Sequence, residues 1–249
     1  MLTLLDEDRH WWFASRTRAL LSVLDRYVGP DARREVLDVG AGAGNMFHHL
    51  AHYGRVLGVD NNPRPIAVAH ARGYDVRLGD AHKLPFEDER FGLVALLDTV
   101  EHCPDDLAVL RECYRVTQPG GFLIITVPAF MWLWNHNDVL NHHQRRYTAG
   151  ELHTRLREAG YRVRYLSYTN FLVFPLAASG ILLRRWLKRQ PNLASPHFND
   201  AAYQVEMEPA PPILNTILAG MGRLEAALLR WITLPIGTSI LGLAERPIS

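Results

Sequence analysis

The chain has 249 residues, 48% of them hydrophobic, and a formal net charge of +1 at pH 7, so it can bury a core and offers no overall charge for binding nucleic acid. Its two cysteines, Cys103 and Cys113, lack the spacing of a metal or redox motif, which indicates free thiols in a reducing compartment. No apolar run is as long as a membrane-spanning helix and the first residues lack the order of a signal peptide, so we expect a cytoplasmic protein.

Residues 36–60 predict a buried strand, a glycine turn, a helix and a second strand that ends in a carboxylate. Gly40, Gly42 and Gly44 allow the backbone to turn sharply and to approach a ligand closely. Free N–H groups at the start of the helix favour a carboxylate or phosphate, and Asp60 is placed to accept ribose hydroxyl groups. The unit therefore predicts an adenosine-containing ligand.

Strand-like and helix-like segments continue to alternate, which predicts an α/β protein with a parallel sheet covered on both faces. Further strands are predicted at residues 74–78, 93–97, 122–127, 161–167 and 237–243. Helices are predicted at residues 65–72, 105–116 and 149–159.

Residues 170–235 have a different character. An apolar stretch, 171–183, is followed by Arg184, Arg185, Lys188 and Arg189, and residues 190–212 predict a loop or mobile lid. Apolar residues then recur at helical spacing over residues 213–228. An apolar helix next to basic residues suits peripheral contact with anionic lipid at the inner membrane surface, while an internal helical cap and a homodimer interface are alternatives.

The glycine turn, its acids and two later motifs resemble the class I S-adenosylmethionine-dependent methyltransferases, in an uncharacterised bacterial branch of the type 11/12 kind. Residues 79–81 (Gly-Asp-Ala) resemble the adenine loop, and residues 94–102 (VALLDTVEH) resemble a motif at the end of strand four. The resemblance implies a Rossmann-like, doubly wound sheet of seven mostly parallel strands, with an antiparallel last strand after a helical insertion at about 170–235. It also implies an N-terminal helical cap over the cofactor at residues 1–30 and a methyltransferase domain at 31–249.

The resemblance implies S-adenosyl-L-methionine as cofactor, bound by Asp38, Gly40, Gly42, Gly44, Asp60, Asn61, Asp80, Ala81 and Asp98. Asp38 would orient the turn or meet the ammonium end of the cofactor, although it could equally satisfy the turn's own N–H groups. Asp60 would bind the ribose, with a helix cap as the alternative. The G-x-G-x-G spacing disfavours the G-x-G-x-x-G fingerprint of dinucleotide binding.

Residues 132–147, which we call the acceptor segment, concentrate aromatic, histidine and arginine side chains just after strand five. Asp138, His143, Arg146 and Tyr147 form a D-x-x-x-x-H-x-x-R-Y pattern that also resembles this branch. His143 is a candidate base or hydrogen-bond donor, and Arg146 a clamp for an anionic group. An internal salt bridge between Arg146 and Asp138 is the alternative.

The catalytic residues predicted in this way are His143, Arg146 and Tyr147, and the substrate-binding residues are Trp12, His102, His136 and Asp138. Trp12 belongs to an N-terminal His-Trp-Trp-Phe segment that is also similar to that branch, and its alternative role is hydrophobic docking of a terminal helix. No metal is predicted, because no cysteine or ligand spacing supports a zinc site from His136, His142 and His143.

The function implied is an S-adenosylmethionine-dependent methyltransferase that transfers a methyl group to a small or lipid-like acceptor by in-line displacement. Positioning and desolvation can supply much of the rate enhancement, and a base is needed only if the acceptor arrives protonated. The alternatives are a catalytically inactive S-adenosylmethionine-binding protein and an NAD-dependent oxidoreductase. No nucleic-acid partner is expected.

Overall fold

The computed structural model describes residues 10–187, 197–199, 204–206 and 211–248. Within these residues the α-helices are α1 (Trp11–Tyr27), α2 (Phe47–Leu50), α3 (Pro63–Ala71), α4 (Asp106–Val116), α5 (His136–Leu140), α6 (Ala149–Glu158), α7 (Phe174–Trp186) and α8 (Pro212–Leu229). The strands are β1 (Glu35–Val39), β2 (Arg55–Asp60), β3 (Val76–Leu78), β4 (Phe91–Leu97), β5 (Thr117–Pro128), β6 (Arg162–Thr169), β7 (His197–Asn199), β8 (Gln204–Glu206) and β9 (Ser239–Glu245). Two short 3-10 helices cover Val100–His102 and Met131–Leu133.

Seven of the strands form one sheet in the order β3-β2-β1-β4-β5-β9-β6. Strands β1 to β5 pair in parallel, and β9 lies antiparallel between β5 and β6. The predicted α/β fold with a mostly parallel sheet and an antiparallel last strand is therefore confirmed. β5 begins at Thr117 rather than at residue 122, because Thr117 pairs with Phe91 across a register shift.

The central strands are apolar on both faces because helices cover each face. On one face, Leu37 and Val94 pack in the cluster that includes Leu110 of α4 and Leu152 of α6. The other face is covered by α1, whose Leu20, Val23 and Leu24 are almost fully buried, in a cluster with Val36, Leu93 and Ala95. Helix α1 is thus part of the core of the protein.

Helix α1 also lies against α8, so the first and last described helices form one packed unit. The backbone N–H of Trp11 donates to Asn215 Oδ1 at 2.9 Å. A Cβ atom on Gly222 would lie 1.8 Å from Ser15 Oγ, so only a glycine permits this close approach.

The predicted helical insertion before the last strand contains α7 and α8. Its first residues are fixed by Glu225 of α8, a buried side chain that accepts hydrogen bonds from the backbone N–H groups of Asn170 and Leu172. Much of the predicted loop at 190–212 lies outside the described residues. Within it, β7 and β8 pair as an antiparallel ribbon, so the prediction of a loop was wrong for those residues.

Candidate active site

A cavity of about 830 Å³ opens at the carboxyl ends of β1, β2, β3 and β4, the edge at which open α/β sheets bind ligands. Its walls come from the turn after β1, the end of β2, the turn after β3, the residues after β4, and Asn141 and His142 of the acceptor segment. Among the residues predicted to bind the cofactor or the acceptor, those lining the cavity are Gly40, Gly42, Asp60, Asn61, Asp80, Ala81, Asp98 and His102. The order of the strands has therefore brought the four segments that follow β1, β2, β3 and β4 to one site, and the acceptor segment adds a fifth.

The glycine turn requires left-handed backbone at Gly40, Gly42 and Gly44, with φ angles of +77°, +52° and +75°. A Cβ atom on Gly42 would meet no other atom within 4 Å, so this glycine faces open space in the cavity. A Cβ atom on Gly44 would instead lie 2.6 Å from the ring of Tyr74, and Gly44 is not among the described residues that line the cavity. Gly42 leaves room for a ligand, whereas Gly44 leaves room for packing.

The carboxylate of Asp60 connects this turn to the end of β2. Its Oδ2 accepts a hydrogen bond from Gly42 N–H at 2.8 Å, and its Oδ1 accepts one from Asn62 N–H at 2.8 Å. The cap of α3 is Asn62, whose side chain accepts from Arg64 N–H at 3.1 Å. Each oxygen of Asp60 keeps a further lone pair, so the carboxylate is fixed in place and can still accept from ribose hydroxyl groups.

The turn after β3 presents Asp80 and Ala81 to the cavity, beside the end of β2. Asp80 Oδ1 accepts from the backbone N–H of His82 at 2.9 Å and contacts His82 Nδ1 at 2.8 Å. These hydrogen bonds lower the pKa of Asp80, so its carboxylate is ionised at neutral pH. The site therefore holds an ionised acceptor where the adenine amino group was predicted to bind.

Asp38 lies in the central strand β1, below the glycine turn, and is only 3% exposed. Burial raises the pKa of Asp38 to about 7, while the positive charge of Arg16 opposes that shift. This carboxyl group is thus balanced between its neutral and charged forms at physiological pH.

Asp98 follows β4 in a left-handed conformation, with φ of +47°, which turns its side chain into the cavity. Its carboxylate forms an ion pair with Arg16 Nη1 of α1 at 2.6 Å. The Arg16 guanidinium also lies 5.7 Å from the ring centroid of Trp12. Trp12 therefore contacts Arg16, which in turn contacts Asp98. Trp12 is not among the described residues that line the cavity.

Beyond Asp98, a buried acid and two imidazoles lie together. Glu101 is 0% exposed, and neither of its carboxylate oxygens has a hydrogen-bond partner among the described residues. Complete burial and the nearby charge of Asp98 raise the pKa of Glu101 well above its usual range. The rings of His102 and His143 meet edge to face with centroids 4.7 Å apart, and desolvation and the neighbouring His143 lower the pKa of His102.

His143 is oriented by the buried Asp138. His143 Nδ1 lies 2.9 Å from Asp138 Oδ1, and we assign the proton to Nδ1 because a carboxylate only accepts. Burial would raise the pKa of Asp138, but hydrogen bonds from His143 and Arg146 outweigh it and lower the pKa. The Nε2 atom of His143 is then left with a lone pair, as a base or a ligand requires.

Arg146 holds Asp138 from the other side. Its Nε donates to Asp138 Oδ1 at 2.7 Å and its Nη2 to Asp138 Oδ2 at 2.9 Å, while Nη1 donates to the carbonyl oxygen of Ala129 at 3.0 Å. Arg146 is thus engaged in the internal salt bridge that we considered as the alternative to an anion clamp.

Asp138, His143 and Arg146 are not among the described residues that line the cavity, and neither are two further predicted residues, Tyr147 and His136. Tyr147 is buried, and its hydroxyl donates to Asp106 Oδ2 at 3.1 Å in the core beside α4. This position does not support the predicted catalytic role of Tyr147, because its hydroxyl is held inside the protein. His136 begins α5 and is not among the described residues that line the cavity.

Thr99 and Asn141, which line the cavity, were not selected from the sequence, and His142, which also lines it, was considered only as a zinc ligand. For Glu101 the sequence left a helix cap and a pocket-lining position open. The position of Glu101 beside His102, in the motif after strand four, was the available signal. Its burial could not be read from that motif, because the acceptor segment lies against Glu101 and its Gln144 N–H donates to the Glu101 carbonyl oxygen.

Comparison with known proteins identifies the central part of the chain. Residues 37–125 match the family model described as a methyltransferase domain. A Mycolicibacterium smegmatis protein named "Probable S-adenosylmethionine-dependent methyltransferase" is 30% identical over 161 residues, which are 63% of this chain and 61% of that protein. The ubiquinone biosynthesis O-methyltransferase of Pseudomonas entomophila is 38% identical over 101 residues, 36% of this chain and 42% of that protein. The chain thus spans between about two fifths and three fifths of these curated relatives.

Solved structures with the same fold have more varied functions. A phosphoethanolamine N-methyltransferase of Haemonchus contortus, in complex with S-adenosyl-L-methionine, has a TM-score of 0.57 at 19% identity, covering 92% of this chain and 52% of that chain. The [4+2]-cyclase SpnF has a TM-score of 0.60 at 20% identity, covering 96% of this chain and 84% of that chain. These likenesses show the fold, and the reaction has to be argued from the site.

Proposed function

We propose that this chain, which carries a class I S-adenosylmethionine-dependent methyltransferase domain, transfers a methyl group from that cofactor to a small or lipid-like acceptor. The observation that carries the proposal is one cavity that joins Asp60 and Asp80 at one end to Asp98 and His102 at the other. A nucleoside at the first end directs the reactive part of the cofactor towards the second. The acceptor segment lies at that second end.

The cofactor's recognition is divided among groups with separate tasks. Asp60 accepts hydrogen bonds from the ribose hydroxyl groups, and Asp80 accepts one from the adenine amino group. The backbone N–H of Ala81 donates a hydrogen bond to the adenine ring. Asp38 and the glycine turn lie towards the amino-acid end, where Asp38 balances the ammonium charge. Each assignment follows the chemistry that its position offers.

In the transfer, an acceptor atom forms a bond to the methyl carbon while the bond from that carbon to sulfur breaks. The positive charge on sulfur disappears, so a desolvated site favours the reaction. When the acceptor arrives protonated, its proton leaves on the acceptor side, where His143 is held by Asp138 at 2.9 Å. Arg146 and Tyr147 are positioning residues in this scheme, since one holds Asp138 and the other fixes the segment to the core.

The N-terminal helix acts as a cap in the same scheme. Arg16 extends from α1 to Asp98 at the cavity, and Trp12 lies against Arg16. Since α1 is also packed on the core, the cap is fixed rather than free to swing away.

Exposed apolar surface on α7 and α8 supports a lipid-like acceptor. Arg185 of α7 donates to the carbonyl oxygens of Trp132 and Trp134, which connects this apolar helix to the acceptor segment. Large apolar side chains are exposed on α7, on α8 and just after α8, among them Leu176 (71%), Trp186 (79%), Ile213 (79%) and Trp231 (77%). None of the described helices has the length and apolarity needed to cross a bilayer. We therefore propose peripheral contact at the inner surface of a membrane.

Two measurements test the function directly. Calorimetry with S-adenosylmethionine, S-adenosylhomocysteine and NAD should show binding of the first two, and preference for NAD would overturn the proposal. Incubation with methyl-labelled cofactor and fractionated cell extract should then give a labelled product that mass spectrometry identifies. Binding without any labelled product from any fraction would favour the catalytically inactive alternative.

Liposome flotation tests the membrane contact. The protein should float with vesicles that contain anionic phospholipid, and less so at high salt, because basic residues contribute to the attraction. Absence of flotation at both salt concentrations, with a dimer in light scattering, would assign the apolar surface to a homodimer interface instead.

A further inference from the structure

Glu101, His102 and His143 each offer one ligand atom, and these three atoms lie within 4.8 Å of one another. We propose that they bind a divalent transition-metal cation of the Zn²⁺ or Mn²⁺ kind, which holds an acceptor oxygen beside the cofactor. The cation site rests on the geometry alone, and its role in the reaction rests on the proposed function.

The burial of the Glu101 side chain is the strongest support for a bound cation. The residue is 0% exposed, and both of its carboxylate oxygens lack a hydrogen-bond partner among the described residues. Burying a carboxylate without a partner is costly, and buried carboxylates are usually paired or bound to a metal. A cation at this position supplies the partner that the described protein atoms do not.

The second observation is the environment of His143. Histidines that bind metals usually donate their other ring N–H to a carboxylate or carbonyl group, which fixes the ring and its tautomer. His143 Nδ1 makes this contact with Asp138 at 2.9 Å, and Arg146 holds the same carboxylate at two points. The ring of His143 is therefore oriented before any cation binds, and its Nε2 atom can act as the ligand.

The kinds of ligand atom select the class of cation. Two imidazoles and one carboxylate suit zinc, manganese, iron or cobalt, whereas magnesium and calcium prefer sites made of oxygen atoms. Three protein ligands also leave at least one coordination position open, as in catalytic metal sites. His102 lines the cofactor cavity, so the open position can lie towards a bound acceptor.

With a cation at this position, the acceptor is a hydroxyl compound. A hydroxyl group bound to the cation releases its proton to solvent more readily, and the oxygen then forms a bond to the methyl carbon. The carbon–sulfur bond breaks at the same time, and its electron pair stays on sulfur. In this arrangement His143 is a ligand of the cation and does not take the proton itself.

The test uses the full chain after treatment with a chelator, followed by removal of the chelator. We expect one equivalent of Zn²⁺ in equilibrium dialysis, and Co²⁺ should give the absorption bands of a protein-bound ion. Glu101→Gln and His143→Gln should each weaken binding at least tenfold. The matched control is His153→Gln, an exposed position on α6, which should bind as the wild type does.

The binding of S-adenosylhomocysteine, measured on every variant without metal, shows that each is folded. Absence of stoichiometric Zn²⁺ and Mn²⁺ binding by the wild type would overturn the inference, as would equal affinity in Glu101→Gln. If Glu101→Gln does not fold, His143→Gln takes its place, and Zn²⁺ affinity equal to that of the wild type would overturn the inference. Metal binding by a wild-type protein that binds no cofactor would overturn the proposed function and leave the cation site in place. Cofactor binding by a wild-type protein that binds no metal would overturn the cation site and leave the proposed function in place.

Discussion

In the cofactor part of the cavity, the groups that meet a ligand are held within one strand–turn–helix unit or one turn, whereas the acceptor segment as a whole is held in place by residues far away in the sequence. Asp60 is fixed by Gly42, 18 residues away, and Asp80 by His82, two residues away. On the acceptor side, Asp138 orients His143 from only five residues away, but Arg185 holds carbonyl groups of the acceptor segment 53 and 51 residues away. Helix α1, whose Arg16 reaches Asp98, is itself joined to α8 by a contact that spans 204 residues. A local sequence motif can encode the first kind of site, while the second kind exists only after the whole domain has folded.

The largest effect that would sharpen this comparison is expected at His143. His143→Ala should lower the rate of methyl transfer about a hundredfold or more, because the acceptor loses either its base or its bound cation. Affinity for S-adenosylhomocysteine in calorimetry should stay near the wild-type value. His153→Ala is the control, and normal methylation by His143→Ala would show that the acceptor binds elsewhere.

Asp60→Ala tests the other half of the site. Cofactor affinity should fall more than tenfold, which is about 1.4 kcal/mol or more, because the ribose and Gly42 N–H both lose a charged acceptor. Asp75→Ala removes an exposed carboxylate near β3 and should leave the affinity unchanged. Equal calorimetric affinities for the two variants would contradict the ribose assignment.

A smaller effect is expected where α1 meets α8. Gly222→Ala places a Cβ atom 1.8 Å from Ser15 Oγ, so the two helices must move apart. The free energy of unfolding should therefore fall by about 1 kcal/mol. Gly220→Ala, on the same helix with no atom within 4 Å of its Cβ, should be neutral or stabilising. Thermal denaturation measures both, and equal melting temperatures would contradict the close contact between the helices.

The smallest effect is a pH dependence set by Asp38. Because the pKa of Asp38 is raised to about 7, the carboxyl group is mostly protonated at pH 6 and mostly ionised at pH 8. The cofactor's ammonium group favours the ionised form, so affinity should rise about fivefold between these two pH values. Asp38→Asn should flatten the change, and an equally steep change in that variant would assign the effect to another group.

The same contrast explains which predictions from the sequence were confirmed. The sheet and its antiparallel last strand are confirmed, and residues 37–125 match a methyltransferase-domain model as expected, because alternating apolar segments and glycine turns are local signals. Roles for individual residues stay predictions. The packing of Gly44 on Tyr74, the buried hydroxyl of Tyr147 and the unpartnered carboxylate of Glu101 depend on which segments the fold places above them. No spacing within the sequence carries that information.

The contact between α1 and α8 also has a consequence for the order in which the protein matures. During synthesis, Trp11 leaves the ribosome long before Asn215, its partner 204 residues later, has been made. Until then the apolar side of α1 that faces α8 has no covering, which is the condition in which chaperones bind nascent chains. Ribosome-bound chains that end before α8 should therefore be more sensitive to proteolysis near α1 than chains that include it.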